Sequence, residues 1–277
     1  MIRKKININT IIMQIIFVFL SVVIIIPVAI TFFASFKTPI ELGTDFPLKP
    51  TLSPSIKNYM VVFGKANIIK GLYNSILLVT LSVLANTLIA SGVAFAINRF
   101  DFKLKKIYFF LFMLGMLIPP YVTEISRFGI IKLLGLYNTR WSALMIYIAA
   151  DMMQLYIYLQ FIDKIPISLD ESAFLDGCSP LRVYWSIILP LVIPATTTLG
   201  IFKMVTIMND MYIPYLYMPA NRLSTLTTAL MHFSDSRFGS WQNLSAAIVI
   251  VMLPSLIAYF MFSKHIHKGL TEGAVKG

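Results

Sequence analysis

Asp151, Lys203, Asn209 and Asp210 interrupt otherwise apolar stretches in the second half of the chain. An ionisable group at bilayer depth costs about 2.5–3.5 kcal/mol on insertion scales, so such residues face a watery cavity or a partner. Carboxylate and amide oxygens accept hydrogen bonds from hydroxyl-bearing solutes, which makes Asp151, Asn209 and Asp210 candidates to border a translocation path. The competing reading is a clamp between helices, with Lys203 paired to a carboxylate. Tyr212, Tyr215, Tyr217 and Trp241 could stack on a solute or form an interfacial aromatic belt. His265 and His267 sit beside Lys264 and Lys268 with no further ligand nearby, which reads as a basic membrane-edge segment and not a metal site. Cys178 is the single cysteine, so no intrachain disulfide or multi-cysteine metal site is available. Gly64-Lys65-Ala66 lacks the hydroxyl and earlier glycine of a nucleotide loop, and neither Gly-x-Ser-x-Gly nor His-Glu-x-x-His occurs. The chain therefore offers no ATP site and no catalytic cluster, and energy for any transport must come from elsewhere.

A second polar concentration lies between the apolar stretches, from Ser168 to Pro190. Ser168 with Glu171 predicts a capping box, Asp170 adds negative charge at the positive end of the helix dipole, and Gly177 can end the helix in a left-handed conformation. Ser179 then predicts a second cap, followed by Pro180 at the first helical position, with Pro190 and Pro194 closing the helix. Leu181, Tyr184, Trp185 and Ile188 fall on one side of that second helix, which would anchor it to the bundle and leave the first helix and the Gly177 turn exposed.

The elements that must carry these groups are membrane helices. Of the 277 residues 58% are hydrophobic and 13% charged, about half the charged share of a soluble domain. No charge occurs between Lys5 and Lys37, Lys70 and Arg99, or Arg237 and Lys264, and a spanning helix needs about 20 apolar residues. With three weaker stretches, an all-α polytopic protein of about six transmembrane helices is expected, as a single domain with spans near 11–36, 71–98, 107–123, 141–162, 191–213 and 240–263. The first run is too long for a secretory signal, despite Arg3, Lys4 and Lys5 before it. Pro119-Pro120 should end or kink the third helix, with Tyr121 to Leu136 re-entering or lying on the outer face. Basic residues are nearly balanced between the two sides. The Arg99 to Lys106 link and the N-terminal triplet decide for both termini in the cytoplasm, with a cytoplasmic loop at 163–190 and a tail at 264–277. The net charge of +11 is spread over helix ends, which suits anionic lipid and not nucleic acid.

The string Glu171-Ser172-Ala173-Phe174-Leu175-Asp176-Gly177-Cys178, with Leu189-Pro190-Leu191 and Pro194 after it, resembles the EAA motif of ABC importer permeases. Asn74-Ser75, Ala94 to Phe102 and Gly269 to Gly277 are similar to the carbohydrate-uptake type, in particular the second permease subunit of maltose systems. Serine replaces the usual alanine at Ser172, and Met208-Asn209-Asp210-Met211 lacks the aromatics common in helix five, which weakens any transfer of sugar-stacking roles there.

The resemblance implies a type I importer permease fold in a bacterial cytoplasmic membrane. It implies docking of Glu171, Ser172, Ala173, Asp176 and Gly177 on an ATPase, with a second ATPase contact at Gly269, Gly273 and Lys276. The partners implied are a homologous second permease, two ATP-binding cassette subunits holding ATP-Mg, and an extracellular or periplasmic solute-binding protein. This chain would bind no cofactor, and the solute would be a sugar, oligosaccharide by expectation. An ion-gradient-driven secondary transporter, using Asp151 and Asp210 as coupling sites, is the alternative.

Overall fold

The computed structural model describes residues 8–65, 67–119, 121–234 and 240–274. All regular structure among them is helical. In order the helices are α1 Ile8–Ala34, α2 Pro39–Thr44, α3 Lys57–Lys65, α4 Ile68–Arg99, α5 Lys105–Leu117, α6 Glu124–Leu133, α7 Arg140–Tyr147, α8 Met152–Ile162, α9 Ile167–Leu175 and α10 Pro180–Val183. A π-turn at Tyr184–Ile188 leads into α11 Leu189–Leu191, followed by α12 Ile193–Asn209, α13 Tyr212–Tyr217, α14 Leu226–Ala229, α15 Met231–Ser234 and α16 Trp241–Ala274.

Two compact units divide the chain, one made of residues 1–69 and 229–254, the other of 70–228 and 255–277. In the first, α1 is long and apolar enough to cross a membrane and buries none of that stretch. Behind it a polar hub holds the chain together: Asn58 Nδ2 donates to the carbonyls of Ser35 and Lys37 at 2.9 and 3.0 Å, and the buried Lys37 ammonium donates to the Phe46 carbonyl at 3.0 Å. A capping box between Thr38 and Glu41 starts α2. The Thr38 amide, then the Thr51 and Thr38 hydroxyls, hold the Glu41 carboxyl below its ordinary range.

In the second unit α4 is the spine. Ser75, Leu78, Ser82, Asn86, Ala90 and Ala94 recur every three or four residues and are all buried, a stripe of small and polar side chains that lets helices approach closely in a membrane. Two apolar cores flank this stripe. One joins the Arg99 half of α4 to α8, α9, the π-turn and the start of α12; the other joins the Lys70 half to α6, α7, α13 and the end of α12.

Three single helices, α1, α4 and residues 241–262 of α16, meet the length and composition of a membrane span. Two bent helix pairs, α7 with α8 at 49° and α10–α11 with α12 at 77°, meet the same length and composition only when each pair is taken together. The expected span at 107–123 is a helix that stops at Leu117, because Ile118 precedes Pro119 and is driven to an extended conformation, φ −86° and ψ 118°. Its 13 residues cover only about 20 Å at 1.5 Å each. Pro120, the Arg3–Lys5 triplet and Arg237 lie outside the described residues, as does Lys276. The last helix does not end near 263 but runs on to Ala274, so Gly269 and Gly273 stand in continuous helix.

Candidate functional site

The helix of the polar loop begins two residues earlier than its capping pattern suggests. α9 starts at Ile167 after Pro166, with no side-chain cap, so the expected Ser168–Glu171 capping box is absent. Proline at the N-cap fixes the entry by its ring, and the Ser168 carbonyl instead accepts from the Ser172 hydroxyl at 2.8 Å. Asp170 does not sit free at the dipole: it is 4% exposed and meets Arg99 Nε at 2.6 Å. The contact is charge to charge, since neither carboxylate oxygen finds a well-aligned donor. Arg99 also donates from Nη2 to the Ile165 carbonyl at 2.7 Å, and Asn98 bonds Asp163. The end of α4 therefore grips α9 at its base.

What remains outward is a defined face. Glu171, Ser172, Asp176 and Gly177 are exposed, and Leu175 is 89% exposed with Phe174 beside it. Ala173, expected on the docking surface, is instead packed into the apolar core. The helix closes by a Schellman arrangement: Cys178 N–H donates to the Ala173 carbonyl at 2.9 Å, Gly177 N–H to the Phe174 carbonyl at 3.0 Å, and Gly177 takes φ +79°.

Ser179 accepts from the Arg182 amide and Pro180 opens α10, as its sequence signals. Pro190 does not close this helix. The backbone widens into a π-turn, Leu189 N–H reaching back to the Tyr184 carbonyl, and continues through Pro190 to Leu191. The extra residue per turn changes which side is buried. Val183, Tyr184, Ile188 and Val192 are inside, whereas Leu181 and Trp185, expected to anchor the helix, are 67% and 49% exposed. The Tyr184 hydroxyl lies 2.8 Å from the Ser91 hydroxyl on α4.

The intramembrane polar groups are used in different ways. Between α7 and α8 the helix breaks, and Asn86 Nδ2 donates to the freed carbonyls of Ile148 and Ala149 at 3.2 and 2.8 Å, while Asn86 Oδ1 accepts from Gln154. Asp151 caps α8 in a capping box with Gln154. A broken helix survives in a membrane only when such partners satisfy its backbone. Asp151 also lines a cavity of about 630 Å³ with Tyr108, Phe112, Met116, Met152 and Met153. Lys203, expected opposite a carboxylate, has no ion pair among the described residues, and its ammonium reaches the Ala149 carbonyl at 3.4 Å. Asp210 ends α12 and is already occupied: its carboxylate accepts from the Tyr147 hydroxyl at 2.8 Å and from the amides of Tyr212 and Ile213. Asn209 is exposed, with Nδ2 turned back to the Val205 carbonyl. Tyr212 is 42% exposed and stands edge-on to Tyr121. Asp151 thus stands at the helix break, apart in the chain from the Asn209–Tyr212 corner. Beyond that corner, the Tyr217 hydroxyl donates to buried Glu124 at 2.6 Å; burial first, then this bond, pushes its pKa far above the ordinary range, so it remains a donor.

Asn86 and Gln154 escape a reading of the sequence, and Asp170 and Leu175 stand in it without the ion pair and the protrusion that the structure gives them. Asp151 to Gln154 has the spacing of a capping box, and Asn86 is a polar residue within a charge-free apolar run. Those two signals were present.

Residues 86–272 match the family described as binding-protein-dependent transport system inner membrane component. The chain is 34% identical, over 94% of its length and 96% of the relative's, to a putative ABC transporter permease protein, ORF2, of Caldicellulosiruptor sp. (strain Rt8B.4). It is 30% identical, over 99% of both chains, to the probable starch degradation products transport system permease protein AmyC of Thermoanaerobacterium thermosulfurigenes. A chain of a bacterial ABC transporter involved in the import of the acidic polysaccharide alginate superposes with a TM-score of 0.83 at 18% identity, covering 93% of this chain and 96% of that one. Two apolar helix pairs, each bent at a break, a gripped and outward-facing α9 and these likenesses agree, and the chain belongs to the binding-protein-dependent inner membrane components, the permeases of ABC importers.

Proposed function

We propose that this permease carries a sugar of oligosaccharide size across the cytoplasmic membrane, driven by ATP hydrolysed on separate subunits that dock on α9. The observation that carries the reading is the α9 face: Glu171, Leu175, Asp176 and Gly177 outward, Asp170 held by Arg99 inward. Exposed carboxylates beside a protruding leucine suit a cleft with basic rims and an apolar floor. A displacement of that face reaches α4 through the Arg99–Asp170 pair and α12 through Val183, Tyr184 and Ile188. Rocking of this block is the rigid-body change that would switch the cavity between sides. Relatives named for starch degradation products, for melibiose, raffinose and stachyose, and for galactooligosaccharides support the solute class.

The complete assembly holds a homologous second permease, two ATPases with ATP-Mg and an external solute-binding protein. Both termini of this chain lie in the cytoplasm, and the end of α16, with Gly269 and Gly273, makes a second ATPase contact. Asp151 at its cavity, Asn209 and Tyr212 border the path, whereas Asp210 positions the corner that carries Tyr212.

The test is uptake of labelled oligosaccharide by vesicles containing the whole transporter and its binding protein. Uptake should require internal ATP and survive collapse of ion gradients. Gradient-dependent uptake without ATP would overturn the reading in favour of a secondary transporter.

A further inference from the structure

At the end of α4 away from α9, a second cavity of about 580 Å³ is lined by Lys70, Arg140, Arg222 and Trp141 together with Leu77, Leu78, Leu81 and Leu144. We propose that this cavity is a binding site for one anionic phospholipid, its phosphate held by the three cations and its acyl chain laid along the leucines.

The arrangement has the polarity of such a lipid. Along α4, Lys70, Leu77 and Leu81 follow one another on a helical face, and from Lys70 to Leu81 the rise is about 16 Å at 1.5 Å per residue. Positive charge stands at the start of this path and apolar side chains continue it. Leu78 and Leu144 form a buried wall, and Leu81 is 45% exposed at the open side. Trp141, 56% exposed beside Arg140, is the residue type that settles at headgroup level.

Charge fixes the ligand's sign. No carboxylate lines the cavity, and none of its three cations has an ion pair among the described residues. One buried side chain fixes the Arg140 cation and the backbone that carries Arg222: Asn74 Oδ1 accepts from Arg140 Nε and Nη2 at 3.2 and 2.9 Å, and Asn74 Nδ2 donates to the Arg222 backbone carbonyl at 3.2 Å. Arg140 Nη1 has no protein acceptor among the described residues. A cationic cluster above an apolar groove selects an anionic amphiphile over a zwitterionic one. The volume lies within the 300–1,000 Å³ range of small-molecule sites, enough for a headgroup and the first part of a chain. With α9 at the cytoplasmic end, α4 places this site about 44 Å away, in the opposite leaflet.

The experiment is native mass spectrometry of the whole transporter after exchange into phosphatidylglycerol or phosphatidylcholine of identical chains, with glycerol phosphate as a soluble competitor. Wild type should retain one more phosphatidylglycerol than a Lys70→Gln/Arg222→Gln double variant, whose affinity for it falls roughly tenfold or more. A Lys70→Arg/Arg222→Lys variant should keep the lipid, and assembly with the ATPases checks that both variants fold. Arg140 is left intact because Asn74 uses it. Equal retention by wild type and the Gln variant overturns the site. Equal retention of phosphatidylcholine reduces it to an apolar groove, and displacement by glycerol phosphate reduces it to a plain anion site; either result overturns the proposal.

Discussion

Among the described residues Asp170 has one partner of opposite charge, Arg99, so removing it strands a carboxylate that is almost fully buried. Breaking a buried pair in this way costs about 3–5 kcal/mol. The Asp170→Asn variant strands the guanidinium instead, which still holds the Ile165 carbonyl, and should be the milder loss. Both variants should insert and assemble, yet deliver fewer sugar molecules per ATP hydrolysed, a ratio read by measuring uptake and hydrolysis in the same vesicles. An unchanged ratio would remove the pair from the transmission path. Asp151 allows a second separation of roles. If its work is capping, Asp151→Asn should transport normally, because asparagine caps as well, while Asp151→Ala should lose about 1 kcal/mol of stability by thermal unfolding. Loss of uptake in Asp151→Asn would assign the charge itself a function. Normal uptake by Asn209→Ala would take that side chain out of the path. The sequence offered both parts of the Arg99–Asp170 pair but no sign of their meeting, since charges this far apart in the chain have no local periodicity to betray them. The capping by Asp151 escaped for a different reason: in a window taken as one continuous span, a capping signature has no place until the helix is known to break.

The helical elements show where local rules suffice and where packing overrides them. Gly177 was legible because a left-handed closure leaves a chemical demand on one residue; Pro190 was not, because a helix can pass a proline by opening a π-turn. Leu181 and Trp185 face outward, off the stripe drawn at 3.6 residues per turn, while Val183, Tyr184 and Ile188 take the inside. An added methyl at Gly177 meets no atom within 4 Å, so substitution there acts through backbone strain of about 1–2 kcal/mol. Transport should therefore fall less in Gly177→Asn, which tolerates positive φ, than in Gly177→Ala. Gly177→Asp, which adds a charge beside Asp176, should abolish it with membrane insertion intact. Equal activity of the Asp variant would show that the turn makes no contact with the ATPase. The long spans around α1, α4 and α16 were read from uninterrupted apolar runs, whereas the break between α7 and α8 is held by Asn86 on α4, a distant donor that no local window contains.

For the whole molecule, the class was legible from charge-free length, whereas the proposed orientation rests on only a few basic residues, because the remaining cations are shared almost evenly between the two sides. Some of that even share now has a local reason: Lys70, Arg140 and Arg222 gather at one cavity instead of marking a leaflet. The lone cysteine of the chain, Cys178, is half-buried in the turn that closes α9, immediately after Gly177. Wild-type protein consequently carries its own single-site reporter at the place where the motor is expected to grip. A maleimide added to the assembled transporter should label Cys178 more slowly than in the isolated permease, and the rate should change again when ATP is supplied. Labelling indifferent to both would place the motor's grip elsewhere. Timed alkylation, read by mass, would make the engagement of the ATPase a stopwatch measurement on an unmodified chain.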